Sequence, residues 1–166
     1  ILEGLDRVLQ RVTGPKISAF YAQAHEKRGA KIVTNAQVSG FAGDKAVQEV
    51  LCKDGDRYPA DLVVIGVGVR PNIALAEAAE LDVENGICVN EFCQTSDPDI
   101  FAVGDCAFFP CVQTGEHLRL ESVPNATEQA KSAAALVCGK EKTYTALPWF
   151  WSCLLYTSDA ADEFSC

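Results

Sequence analysis

The sequence predicts an α/β protein in which buried parallel strands end in glycine turns and helices lie between them. Two observations carry this. Residues 61–67 and 100–103 are almost wholly apolar, without the alternation of a half-exposed strand, as expected when helices cover both faces of a sheet. Each run meets glycine, at Gly66 and Gly68 in the first and at Gly104, followed by Asp105, in the second. In open α/β sheets the ligand crevice lies just beyond such strand ends. Gly104 permits a close backbone approach, and Asp105 supplies a carboxylate able to accept hydrogen bonds from sugar-type hydroxyls.

Composition narrows the function. A chain of 166 residues, 48% hydrophobic and 22% charged, can build a real core. Its longest apolar runs are strand-length, well short of the roughly 20 residues of a membrane-spanning helix. The net charge of −9 argues against nonspecific binding to nucleic acid or anionic membrane, since both need a basic surface. Eight cysteines without a Cys-x-x-Cys pair, and only two histidines, suit small buried hydrophobes in a reducing cytoplasm better than structural zinc. The chain opens on Ile1-Leu2-Glu3 and contains no methionine, so it is expected to be part of something longer.

Taken in order, Ile17, Phe20, Tyr21 and Ala24 recur at helical spacing after Pro15, which predicts a helix over residues 16–28 closed by Gly29. His25 lies on it without an evident catalytic partner. Residues 31–34 and 37–41 read as strands. Residues 46–53 and 57–59 flank Asp54-Gly55, a hairpin signal. Residues 61–67 form the buried strand that runs into Gly66-Val67-Gly68-Val69-Arg70-Pro71-Asn72. Residues 73–79 then make a short helix and residues 86–90 a strand. Ser96, Asp97, Pro98 and Asp99 form a turn ahead of the strand at 100–103. Residues 108–117, with Pro110 and Gly115, read as a surface loop. Ser122 can cap the next helix and Pro124 suits its first turn, with Ala126, Ala130, Ala133, Ala134 and Val137 along one face.

The stretch from Thr95 to Asp105 resembles the second flavin-binding motif of flavoprotein reductases with two dinucleotide-binding domains. Arg119-Leu120-Glu121-Ser122-Val123-Pro124-Asn125-Ala126, Glu128-Gln129-Ala130, Cys138-Gly139 and Pro148-Trp149-Phe150-Trp151-Ser152 are similar to the ferredoxin–NAD reductases that serve bacterial oxygenases. The resemblance covers about residues 1–152. It implies an incomplete Rossmann-like fold binding FAD and NAD(P). Residues 1–71 would be the later part of the NAD domain, 72–147 the second segment of the FAD domain, and 148–152 the start of a carboxyl-terminal domain.

The resemblance further implies that Asp105 holds the ribityl chain of FAD beside Gly104, and that Glu3 binds the adenosine ribose of NADH. Gly66 and Gly68 would lie in the linker between domains. Ser122, Val123 and Pro124 would bring a helix amino terminus to the flavin, Trp149 and Trp151 would lie near its ring, and Lys131 would help dock an iron–sulfur partner, a ferredoxin or rubredoxin. No acid, base or nucleophile is implied, because the cofactors carry the chemistry.

A disulfide reductase or monodehydroascorbate reductase is the sister alternative, and a non-catalytic remnant is the alternative for the 166 residues by themselves. The glycine turns for both pyrophosphates are not in this stretch, so the isolated chain is expected to be inactive and to bind no flavin. Residues 153–166 resemble a translated sequencing adaptor and are expected to be a non-native tail.

Overall fold

The computed structural model describes residues 1–149 and residue 151. The chain forms two compact units, Ile1–Val67 and a second beginning at Gly68.

In the first unit, residues 1–3 lie parallel to residues 31–33. The Glu3 and Val33 amides bond the Val33 and Ile1 carbonyls, at 2.8 and 2.9 Å. Where the sequence suggests a strand over 31–34, the pairing is a single bridge, Leu2 to Val33. The helix α1, Pro15–Glu26, starts at a proline in its first turn and is followed by Gly29 at φ +89°. Its buried side is only partly the expected stripe. Ser18 is buried, and Tyr21 and Ala24 of the expected stripe are half-buried with Ala22 and His25, whereas Ile17 and Phe20 are exposed. Arg7 fixes this orientation by donating to Ser18 Oγ at 2.7 Å and to the Thr13 carbonyl at 2.6 Å, which draws the polar side inward.

The strands β1 (Val38–Ala42), β2 (Glu49–Cys52) and β3 (Arg57–Pro59) form an antiparallel sheet in that order. The β2–β3 turn contains the expected Asp54-Gly55, with Gly55 at φ +98°, and Lys53, expected in the strand, lies in the turn. Between β1 and β2, Gly43 sits at φ +151°, and a β-carbon there would lie 1.9 Å from the Ala46 carbonyl oxygen. Gly43→Ala is expected to cost about 1–3 kcal/mol, because residues 43–46 are all exposed and that turn can shift to relieve the contact. Gly55→Ala, with open space around its β-carbon, should cost only about 1 kcal/mol from backbone strain. Comparing the two denaturation midpoints checks the order.

The run at 61–67 departs from expectation. It forms no strand, and its side chains are open, with Leu62 80% and Val64 88% exposed. Hydrophobicity makes such a segment fit to be buried, but burial needs hydrogen-bonded neighbours on its edges and helices on its faces. Among the described residues nothing hydrogen-bonds to its backbone. The segment instead borders an apolar cleft of about 420 Å³ with Ile1, Val33, Phe41, Val50 and Tyr58.

The second unit contains α2 (Ala74–Ala78), β4 (Ile87–Cys88), β5 (Ala107–Pro110), β6 (His117–Leu118) and α3 (Val123–Val137). β4 pairs parallel with β5, and β5 pairs antiparallel with β6. Residues 108–117, read as a loop, are thus a strand, a turn and a return. Ala107, Phe109 and Cys111 point inward at every second position, a strand period that Pro110 disguised. Pro110 is tolerated because it ends β5 opposite His117.

Residues 100–103 are extended but form only one bridge, Gln94 to Phe101, rather than a central strand. One edge is occupied: Thr95 N–H donates to the Ile100 carbonyl and Ala102 N–H to the Cys93 carbonyl. The core of this unit gathers Val89, Cys93, Ala102, Ala107, Phe109, Cys111, Ala133 and Tyr144.

Burial pushes the Cys93 thiol up to about 11, and burial likewise raises the Tyr144 hydroxyl. Both stay protonated in the fold at pH values where the unfolded chain loses protons. Stability is therefore fully present below about pH 9 and is expected to fall by roughly 2–3 kcal/mol as the pH rises toward 11. Urea denaturation at pH 8, 9.5 and 10.5 checks this, and Cys93→Ala should flatten the slope.

Candidate functional site

The site is built where the segment 100–106 meets the start of α3. Ser122 is the N-cap of α3 and its Oγ accepts from Asn125 N–H at 3.3 Å, while Pro124 stands in the first turn. Pro124 has no N–H, and Asn125 N–H is taken by the cap. Val123 N–H makes no hydrogen bond among the described residues, so it is the free donor of this helix end.

Gly104–Cys106 forms a single 3₁₀ turn packed on that first helical turn. Gly104 has φ +76°, and a β-carbon there would stand 3.4 Å from Ala126 Cβ. The glycine thus serves a close approach of turn to helix. Asp105 is exposed at the tip, and its carboxylate makes no hydrogen bond or ion pair among the described residues. The structure therefore brings Gly104, Asp105, Ser122, Val123 and Pro124 together. It offers an open carboxylate and a helix amino terminus, a pair suited to hydroxyls on one side and to an electron-rich group on the other.

The expected alanine face of α3 is corrected. The helix buries Asn125, Gln129, Ser132 and Ala133, leaving Ala130, Ala134 and Val137 exposed. Asn125 and Gln129 are inward because each makes tertiary hydrogen bonds, whereas Ser132 Oγ donates within the helix to the Glu128 carbonyl at 3.3 Å. Gln129 Oε1 accepts from Gly104 N–H at 2.7 Å, Asn125 Nδ2 donates to the Leu120 carbonyl at 3.1 Å, and Tyr144 OH donates to Asn125 Oδ1 at 2.9 Å. Tyr144→Phe leaves that acceptor unpaired in the core, so a loss of about 1–2 kcal/mol is expected on denaturation.

Sequence reasoning missed Arg119 as a site residue, although it lies in a quoted motif. Its side chain is 11% exposed and pairs with Glu121 at 2.8 Å. It also donates to the Asp105 carbonyl at 2.9 Å and to Asn85 Oδ1 at 3.4 Å. No signal in residue type marks it, because its contact with the site is to a backbone carbonyl 14 residues away.

The remaining positions are dispersed. Glu3 ends the first parallel segment, and its Oε1 accepts from Leu5 N–H at 2.9 Å. Gly66 borders the apolar cleft of the first unit, and Gly68, at φ +96°, begins the second. Lys131 pairs with Glu128 one turn back, and that hydrogen bond holds the Glu128 carboxyl below its usual range. Trp149 and Trp151 are 55% and 50% exposed, so they are not core anchors. Residues 153–166, read as a non-native tail, lie outside the described residues, as do Phe150 and Ser152.

No helix among the described residues is long and apolar enough to cross a membrane, and those residues contain no group of three or more metal-ligating side chains.

The chain is similar to known proteins along most of its length. The family model described as pyridine nucleotide-disulphide oxidoreductase matches residues 1–130. Putidaredoxin reductase of Pseudomonas putida is 52% identical over 155 residues, covering 92% of this chain and 37% of that protein. The crystal structure of a ferredoxin reductase from Rhodopseudomonas palustris superimposes with a TM-score of 0.88 at 43% identity, over 91% of this chain and 38% of that one. The covalent putidaredoxin reductase–putidaredoxin complex gives a TM-score of 0.87 at 52% identity, with 92% and 37% covered. The chain thus spans little more than a third of the relatives it matches, and its fold is part of their α/β dinucleotide-binding architecture. The chain belongs to the pyridine nucleotide-disulphide oxidoreductase family.

Proposed function

We propose that this chain is the central part of an FAD-dependent ferredoxin–NAD reductase. In that reading the whole protein passes hydride from NADH to FAD and then single electrons to a ferredoxin or rubredoxin that serves an oxygenase. The observation that carries it is the packing of the Gly104–Asp105 turn against the capped start of α3, within a chain 52% identical to a putidaredoxin reductase.

The residues fit a flavin. Asp105 has an open carboxylate for the hydroxyls of the ribityl chain, and Gly104 keeps the turn close to the helix. Val123 N–H, bracketed by Ser122 and Pro124, offers one donor and the positive end of a 15-residue helix to the flavin's pyrimidine edge. Bound FAD would supply the change from two-electron to one-electron transfer. The protein's own part is to hold the polyol, favour negative charge at that edge and present an exit face.

In the same reading Glu3 binds the adenosine ribose of NADH and disfavours a 2′-phosphate, with Oε1 already oriented by Leu5. Residues 1–71 belong to the NAD domain, with Gly66 and Gly68 near its junction, 72–147 to the FAD domain and 148–152 to the next domain. Trp149 and Trp151 are proposed to lie at the flavin ring and toward the partner, where their exposure leaves them available for contact. Lys131 is proposed as a docking contact that shares its charge with Glu128. The partner contact is small and charge-steered, as electron-transfer encounters are, and the protein works in the cytoplasm.

The test uses the complete protein, loaded with FAD, with NADH and a plant-type or putidaredoxin-like [2Fe–2S] ferredoxin plus cytochrome c as the reporter. Ferredoxin-dependent cytochrome reduction is expected. Turnover of a disulfide or of monodehydroascorbate, without ferredoxin reduction, would place the protein with its sister enzymes.

A further inference from the structure

We propose that Gln129, together with Arg119, is a positioning residue that fixes the Gly104–Asp105 turn so that the Asp105 carboxylate faces the FAD polyol. This rests on the reading of Asp105 as a flavin contact given above.

Gln129 is fully buried, at 0% exposure, in a helix that leaves apolar residues in solvent. A buried amide is costly unless paired, and here Nε2 has no partner among the described residues, so packing alone would favour a methionine or leucine. What the glutamine supplies is its oxygen. Oε1 accepts from Gly104 N–H at 2.7 Å and from Asn125 Nδ2 at 3.4 Å, and the glycine donor fixes which end of the amide points that way.

Arg119 holds the other end of the same dipeptide through the Asp105 carbonyl at 2.9 Å. Arg119 is itself held by Glu121 at 2.8 Å. The dipeptide is thus gripped at the Gly104 N–H and at the Asp105 carbonyl. Between the two grips the Asp105 side chain is exposed at the tip and makes no hydrogen bond among the described residues. Gly104 holds φ +76° between them, a conformation that L side chains rarely adopt.

A double-mutant cycle in the full-length flavoprotein carrying this chain tests the proposal, with the FAD dissociation constant from titration of the apoprotein and the apoprotein melting temperature measured side by side. Gln129→Met is expected to weaken FAD binding about tenfold when Asp105 is present and to have no further effect in an Asp105→Ala background. Gln129→Glu, which keeps an oxygen on Gly104 N–H, should restore affinity to within about threefold of the parent.

Equal effects of Gln129→Met in both backgrounds, or a lowered melting temperature with unchanged affinity, would overturn the positioning role while leaving Asp105 as the flavin contact. No loss of affinity from Asp105→Ala alone would overturn that reading itself and the inference with it. Should Gln129→Met fail to fold, Arg119→Lys, at the other grip, enters the same cycle with the same expected pattern.

Discussion

Phe109→Ala is expected to destabilise the second unit by about 3–5 kcal/mol, the largest effect of any single core truncation here. Phe109 is 1% exposed and central to the cluster of Val89, Cys93, Ala107, Cys111 and Tyr144. Its ring meets that of Tyr144 edge-to-face, with centroids 5.0 Å apart and planes at 86°. Truncation removes apolar burial, leaves a cavity and deletes that aromatic contact, three losses with the same sign. Tyr144 also donates to Asn125, so the cavity should loosen the polar network under α3 as well. Phe109→Leu, which fills most of the space, should lose markedly less. Urea denaturation of the three proteins checks the order, and near-equal midpoints for Phe109→Ala and the parent would show that this ring is not central to the core.

Gly86→Ala is the second large effect, expected at about 2–4 kcal/mol and with a functional consequence. Gly86 has φ +144°, and a β-carbon there would lie 2.6 Å from the Cys106 carbonyl oxygen and 3.1 Å from Arg119 Cδ. The first neighbour is backbone, at the end of the Gly104–Cys106 turn, so it cannot rotate away as a side chain can. The second is the arginine that grips Asp105. Relief of the clash must displace the turn, the arginine or the pairing of β4 with β5, and the first two move the candidate site. The variant should therefore lose FAD affinity as well as stability in the full-length protein. Gly115→Ala serves as the control, because its β-carbon meets nothing within 4 Å although its φ is also positive, at +73°. A Gly86→Ala protein with the stability and flavin affinity of this control would contradict the clash.

The features legible in the sequence are those whose causes lie within a few residues. Ser122, Pro124 and the pair Asp54-Gly55 act through their own backbone neighbours, so helix starts and the β2–β3 hairpin were readable. The buried face of α3 was not, because it is set by Gly104 and Tyr144, 25 and 19 residues away from the amides they bond. A helical wheel ranks Asn125 and Gln129 as outward. Only the donors that reach them make burial favourable. The same reason applies to α1, where Arg7 turns Ser18 inward.

The runs at 61–67 and 100–103 show the other half of this. Their apolar character was evident, but a strand is a property of a pair, and composition does not reveal which neighbour is at hand. The hairpin from β5 to β6 was hidden by Pro110, a residue that usually marks loops and here ends a strand. Within the site, Gly104 and Asp105 were legible as a motif. Arg119 escaped because it acts on a carbonyl of Asp105, a contact that leaves no trace in residue type.

A crystal structure of the full-length, flavin-loaded protein shows whether the Gly104–Asp105 turn and the start of α3 together hold FAD. An Asp105 carboxylate oxygen is expected about 2.5–3.0 Å from a ribityl hydroxyl, and the Val123 amide nitrogen about 2.7–3.2 Å from an acceptor on the flavin's pyrimidine edge. A flavin bound with neither contact, its polyol held by other residues, would contradict this expectation.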